Sequence, residues 1–213
     1  YGDGTNANAH KRQLDGSAIK TGSKDSGVVV IALSIKDQVA LGENINLATG
    51  LGNTFITMTA NAFDDTLGRD VTSVTDGNGK VATSVNTDST APTVSSSTLD
   101  LDGETFTIVF DEPVNKNSFT ASAVTLLSAS SNPSGTQART LTSTWQSTAT
   151  EPNADRTTFT IPLGQDDLDA IKLHNLMAIT ADSTFLASTS ALVNDFASQA
   201  AAALLTSSST TVT

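Results

Sequence analysis

Any chemistry in this chain would have to come from carboxylates. Asp100-Leu101-Asp102-Gly103-Glu104, Asp111-Glu112 and Asp64-Asp65 are the places where acidic side chains crowd together. Hard oxygen ligands of this kind suit calcium. The first stretch begins like a calcium loop, but an EF-hand needs a third ligand before its Gly and a closing Glu. It reads as a β-turn with a charged rim. The other two are loop-end pairs that could meet at a domain junction and hold calcium. Paired carboxylates also serve glycoside hydrolysis, but that reaction calls for a sugar-stacking cleft. One Trp and one Tyr do not furnish one.

The other reactive types are sparse. His10 lies in a polar segment and His174 just past a short helical stretch, where a cation suits the helix C-terminus. A general base needs an oriented partner, so neither His is assigned a catalytic role. Serines abound, yet no G-x-S-x-G elbow exists. Gly77-Asn78-Gly79 is a turn rather than a phosphate-cradling loop. With no cysteine, disulfides, thiolate zinc sites and Cys nucleophiles are excluded. Trp145 reads as a core or sheet-face residue rather than a ligand platform. No catalytic, cofactor-binding or metal-ligating residue is therefore assigned, and no enzyme activity is expected. Calcium is the one cofactor the acidic loops leave open.

Charge narrows the partners. A net charge of −11 and a pI near 4.3 disfavour nucleic acid, which demands clustered Lys and Arg. The eleven basic residues are scattered. Acidity serves solubility first; cation binding or life in salty water is the functional alternative. No apolar run reaches membrane-spanning length. Tyr1-Gly2-Asp3-Gly4 does not open a signal peptide, so the chain reads as mature or as a piece of something longer. Its one Asn-x-Ser sequence, Asn132-Pro133-Ser134, is disqualified by proline.

The elements that would position these residues come in two sets. Shifted by 130 positions, Gly27–Thr66 lies on Thr157–Phe196 without a gap, and nine of the forty pairs are identical. They include Ile31/Ile161, Asp37/Asp167, Ala48/Ala178, Phe55/Phe185 and Asp65/Asp195. Other pairs exchange apolar for apolar, such as Val29/Phe159 and Ile56/Leu186. A period this long means tandem domains rather than a solenoid. Gln13-Leu14-Asp15-Gly16 corresponds to Thr140-Leu141-Thr142-Ser143 after a three-residue length difference, and a weak strand is expected there.

Alternating and β-branched runs predict strands. These are Gly27–Leu33, Asn53–Ala60, Val71–Val74, Val81–Val85, Val94–Leu101, Glu104–Phe110, Val124–Leu127, Leu141–Trp145, Thr158–Leu163, Phe185–Val193 and Ala200–Leu205. Ser34-Ile35-Lys36-Asp37 predicts a short helix capped by Ser34. Asp166–Leu173 predicts its counterpart, with Leu168 and Ile171 inward and Asp166 and Asp167 favouring the helix dipole. Asp76-Gly77-Asn78-Gly79 and Asp102-Gly103 are hairpin turns, the second a two-residue type I′ signal. It places Leu99, Leu101, Phe106, Ile108 and Phe110 on one core face. Pro113 takes the chain out of the sheet, and Pro92 stiffens a linker.

Several pieces resemble the bacterial-type Ig-like repeats of very large surface and extracellular proteins. They are Ala91-Pro92-Thr93-Val94, Leu99-Asp100-Leu101, Phe106-Thr107-Ile108-Val109-Phe110-Asp111-Glu112-Pro113-Val114 and Asp167-Leu168-Asp169-Ala170-Ile171-Lys172-Leu173. The F-x-E-P-V piece is the most specific. That family often continues with an Asp-x-x-Gly-Asn loop; here Asp65 leads to Gly68-Arg69 and Asp195 to Ser198-Gln199. The resemblance implies an all-β chain of tandem Ig-like β-sandwiches, each with one short helix. It also implies an extracellular or cell-surface location and no reaction.

The expected domains are an incomplete Ig-like unit over 1–87, a linker over 88–92, a complete unit over 93–207 and a linker or tail over 208–213. The first unit lacks a counterpart to the Val94–Phe110 strand pair, so outside residues are expected to complete it. The expected role is a structural module of a surface protein or appendage filament. Its partners would be neighbouring copies or adjacent repeats, packed end to end or joined by strand pairing. The alternative is an adhesin-type module recognising glycan or protein through its loops.

Overall fold

The computed structural model describes residues 10–15, 17–21, 27–131, 137–143, 154–180, 183–205 and 210–212. Trp145, the Asn132-Pro133-Ser134 sequence and much of the expected tail lie outside them. The described chain is rich in short antiparallel strands, with two α-helices. It divides into two compact units, Tyr1–Asp88 and Ser89–Thr213.

In the first unit, β1 (Ala18–Thr21) pairs antiparallel with β2 (Val30–Ala32). Helix α1 (Ile35–Gly42) follows directly. The Ser34 hydroxyl accepts the Asp37 amide at 3.1 Å, so the expected N-cap is present. β3 (Phe55–Ile56) pairs with β4 (Lys80–Val81). The Val71–Val74 and Val81–Val85 segments do not form a hairpin with each other. Val74 bridges Met58, while Lys80 and Val81 face Ile56 and Phe55. Both therefore lie along one segment, and the Asp76–Gly79 turn is looped out between them. Gly77, at φ 87°, takes the left-handed conformation that turn needs.

In the second unit, β5 (Val94–Asp100), β6 (Thr105–Phe110) and β9 (Thr158–Pro162) form one sheet in that order. The other has the order β11-β10-β7-β8, from β7 (Val124–Leu127), β8 (Ala138–Thr140), β10 (Phe185–Ser188) and β11 (Thr210–Thr211). Helix α2 (Gln165–Leu173) turns Leu168 and Ile171 inward. One core gathers Phe106, Ile108, Phe159 and Ile161 from the first sheet, Leu126 and Leu186 from the second, and the two helix residues. Phe119 stacks on Phe159, with ring centroids 4.6 Å apart, and Phe110 meets Phe159 edge-on at 5.9 Å.

The β5–β6 register places Leu99 opposite Phe106, as the alternation requires. The connection differs from the expected two-residue turn. Residues 101–104 form the loop, and Glu104 rather than Asp102 or Gly103 has positive φ, 54°. The Asp100 carboxylate explains this by accepting the Asp102 and Gly103 amides at 3.0 and 2.8 Å. An Asx-type bond competes with the I′ geometry and wins. The expected strand at Ala200–Leu205 is reduced to two bridges, Asn194 with Ala200 and Ser188 with Leu204. β10 is correspondingly shorter than Phe185–Val193.

Many local bonds of the first unit recur 130 residues later. Ala82 N donates to Thr54 O at 2.9 Å, and Val212 N to Thr184 O at 2.8 Å. Met58 N donates to Val74 O, and Ser188 N to Leu204 O. Val71 N donates to Phe63 O, and Ala201 N to Val193 O. Ala48 and Ala178 both sit at positive φ, 59° and 55°.

Candidate functional site

The most elaborate polar construction surrounds a buried aspartate at the start of each helix. Asp37 follows its cap, Ser34, by three residues, and Asp167 follows Gly164 by three. An acidic side chain there meets the positive end of the helix dipole. Both carboxylates are nonetheless fully buried, which is tolerable only when every oxygen is supplied with donors.

The donors come from residues 12–17, just before β1, and from Arg139 of β8 with the two residues that follow Leu141. Arg12 Nε donates to Asp37 Oδ1 at 2.7 Å, and its second guanidinium contact is 2.6 Å. The Asp15 amide lies 2.9 and 3.0 Å from the two oxygens, and the Ser17 hydroxyl donates at 2.6 Å. Ser34 adds its own hydroxyl at 3.0 Å. Around Asp167, Arg139 contacts Oδ1 at 2.7 Å through Nε and at 2.5 Å through its terminal nitrogen. The Thr142 amide reaches both oxygens at 3.0 and 3.1 Å, and the Ser143 hydroxyl donates at 2.5 Å. The Ser143 amide adds a bond of 2.7 Å. Ser17 Oγ in turn accepts the Ser34 amide, and Ser143 Oγ the Gly164 amide, tying each helix entrance to its clamp. Each arginine is 24% exposed over an aspartate that is not exposed at all.

Burial raises the pKa of both aspartates, and the hydrogen bonds outweigh it. Asp37 is held well below the ordinary carboxylate range by Ser17, the Asp15 amide, Arg12 and Ser34. Asp167 is lowered in the same way by the Ser143 hydroxyl and amide, Arg139 and the Thr142 amide. A carboxylate whose lone pairs are occupied by five or so donors has little basicity for general-base work. The arrangement clamps a helix start to a neighbouring segment.

The residues singled out in the sequence fall elsewhere. His10 Nδ1 is 3.2 Å from Asn44 Oδ1 and lines an open hollow of about 540 Å³ with Asn46, Thr49, Gly50, Gly52 and Asn53. His174 caps α2, its amide bonded to Ile171 O. Asp100 is taken up by its loop. Asp111 accepts the Thr93 amide and hydroxyl at 2.7 and 2.6 Å, securing the start of β5. Asp64 bridges Asp70 through the backbone. Asp65 holds Arg69, whose amide and side chain lower its pKa. Within the second unit, Glu112 and Asp195 have carboxylate oxygens within 4.8 Å of one another. Asp195 Oδ1 also accepts the Gln199 amide at 2.6 Å.

Sequence reasoning missed the clamp because its arginines stand far from the aspartates. One signal was available. The match of Gln13–Gly16 to Thr140–Ser143 extends one residue back onto Arg12 and Arg139. The two matching aspartates, Asp37 and Asp167, then each have an arginine at the matching place before them. Among the described residues, no helix is long and apolar enough to cross a membrane. The chain matches no protein-family model, no curated protein and no solved structure.

Proposed function

We propose that this chain is a non-catalytic structural module of an extracellular surface protein or appendage filament. In this reading the two units are Ig-like β-sandwiches of one plan, packing end to end with neighbouring copies or adjacent repeats. The observation that carries it is the clamp. Arg12, Ser17 and Asp37 make the bonds that Arg139, Ser143 and Asp167 make, with the aspartates 130 residues apart. A construction kept twice, in which the charged groups are consumed in internal bonds, suits a part that holds shape. A reacting site needs groups left available to a substrate.

The physics of such a module is straightforward. Antiparallel strands are joined by backbone bonds that run across the strands, so neighbours hold one another in register. Each helix start is fixed to a neighbouring segment by charge-assisted bonds, which are stronger than neutral ones. A net charge of −11 keeps separate copies from collapsing onto one another. No cofactor enters the reading. Electron microscopy of the native material tests it. Fibres with a regular axial repeat are the expected result. Dispersed monomers that bind a glycan array would replace this reading with the adhesin one.

A further inference from the structure

The two units differ in what lies beside equivalent strands. In the second unit β6 runs along β9, with Phe106 opposite Ile161 and Ile108 opposite Phe159. Phe159 and Ile161 are completely buried there. Their counterparts 130 residues earlier are Val29 and Ile31, which are 43% and 41% exposed. β2 is paired with β1 alone among the described residues. The other sheet repeats the contrast. β10 lies between β11 and β7, and Leu186 is fully buried. Among the described residues β3 has only β4 beside it, and Ile56 is 53% exposed.

We propose that the open edge of β2 is a docking site for a β-hairpin of the β5–β6 kind, supplied by a separate stretch of polypeptide. The inference rests on the reading that both units share one plan, and it names the partner of that plan's uncovered edge. The second unit shows the occupant's chemistry directly. Its inner strand alternates, with large apolar residues at every second position, as Phe106, Ile108 and Phe110 do. The counterparts of Phe106 and Ile108 would stand opposite Ile31 and Val29 in an antiparallel register. The Leu163 amide donates to Glu104 O at 2.8 Å; the Leu33 amide would make the same bond to the incoming strand. One position differs. Thr107 and Thr160 share a hydroxyl bond of 3.1 Å, whereas Val30 has no hydroxyl. The strand that docks here therefore favours a β-branched apolar residue over Thr at that place. An edge with no second described strand beside it and an exposed apolar face is the arrangement that strand addition uses. A second copy of this chain is a poor donor, because its own hairpin carries side chains buried in its core.

Hydrogen exchange on the 213-residue chain tests the proposal, with a synthetic peptide of residues 93–114 as the probe. Saturating peptide should slow exchange of the Val29, Ile31 and Leu33 amides, the counterparts of those that face β6, at least about tenfold, leaving residues 158–163 unchanged. A peptide of the same composition in scrambled order should do nothing. Ile31→Asp, at an exposed position, should abolish the effect while the Asp167 unit keeps its exchange pattern. Three results would overturn the proposal. The peptide could leave residues 28–33 unchanged. Those amides could already be as protected as 158–163 in dilute chain alone. Protection could instead grow with chain concentration and no peptide, making a second copy the occupant. The shared-plan reading is tested separately, without peptide: Asp37→Ala should speed exchange in the first unit as Asp167→Ala does in the second, and an Asp37→Ala chain with unchanged exchange would sink that reading whatever the peptide does.

Discussion

Asp167 is the residue at which one atom-scale change should be felt most. Asp167→Ala removes the acceptor for Arg139, Thr142 and Ser143 and leaves their donors buried or half-buried. Removing one member of a buried pair costs about 3 kcal/mol. The denaturant midpoint should fall accordingly, with the m-value unchanged. The pH dependence follows from the lowered pKa of Asp37 and Asp167. A carboxylate with a depressed folded-state pKa stabilises above its unfolded value, near 3.8, and loses that contribution as pH falls through the folded value. The melting temperature should be flat from about pH 5 to 8 and drop steeply below about pH 4. Asp167→Ala should flatten the acid limb, measured by melts across that range. Ala178 offers the opposite sign. It holds a left-handed φ of 55°, which costs an alanine about 1 kcal/mol relative to glycine. Ala178→Gly should leave stability unchanged or raise it by a few tenths of a kcal/mol, a result that thermal melts would register.

Elements behave according to what covers them. Ile161 lies fully buried between β6 and the core, so Ile161→Ala should cost about 3 kcal/mol. Ile31→Ala, the same change at the equivalent place, should cost under about 1 kcal/mol, because its side chain is already 41% in solvent. Paired chemical denaturation of the two variants checks the contrast; equal losses would mean that β2 is covered in solution. Helices were the most legible elements. Their signals are local: a Ser34 cap, acidic first turns, and Leu168 with Ile171 three apart on one face. Strand ends were less legible. The Asx bond of Asp100 reshaped the β5–β6 loop, and the Asp76–Gly79 loop placed two short segments on one partner. In each case a contact between distant or competing groups overrode the pattern along the chain.

At the scale of the whole molecule, the proposed structural module should hold its shape without a metal. Melting with and without chelator should give the same midpoint; a rise on adding calcium would assign the Glu112 and Asp195 carboxylates a role beyond the fold. The uncovered β2 edge makes the first unit the looser of the two: in dilute chain alone, the amides of residues 29, 31 and 33 should exchange at least about tenfold faster than those of 159, 161 and 163, which hydrogen exchange would register.

By itself the sequence determined the doubled pattern, the two helices, the alternation of the β5–β6 pair and the acidic charge. All of these depend on residue type and on neighbours a few positions away. The 130-residue spacing is likewise a property of the string. The fold alone decided which cations meet Asp37 and Asp167, and which of two like strands is covered. A buried charge is stable only where donors converge from separated segments, and a side chain is buried only where another strand arrives. Neither is encoded at the position itself. Identical isoleucines at 31 and 161 thus have opposite surroundings, because β6 lies beside one and no described strand covers the free edge beside the other.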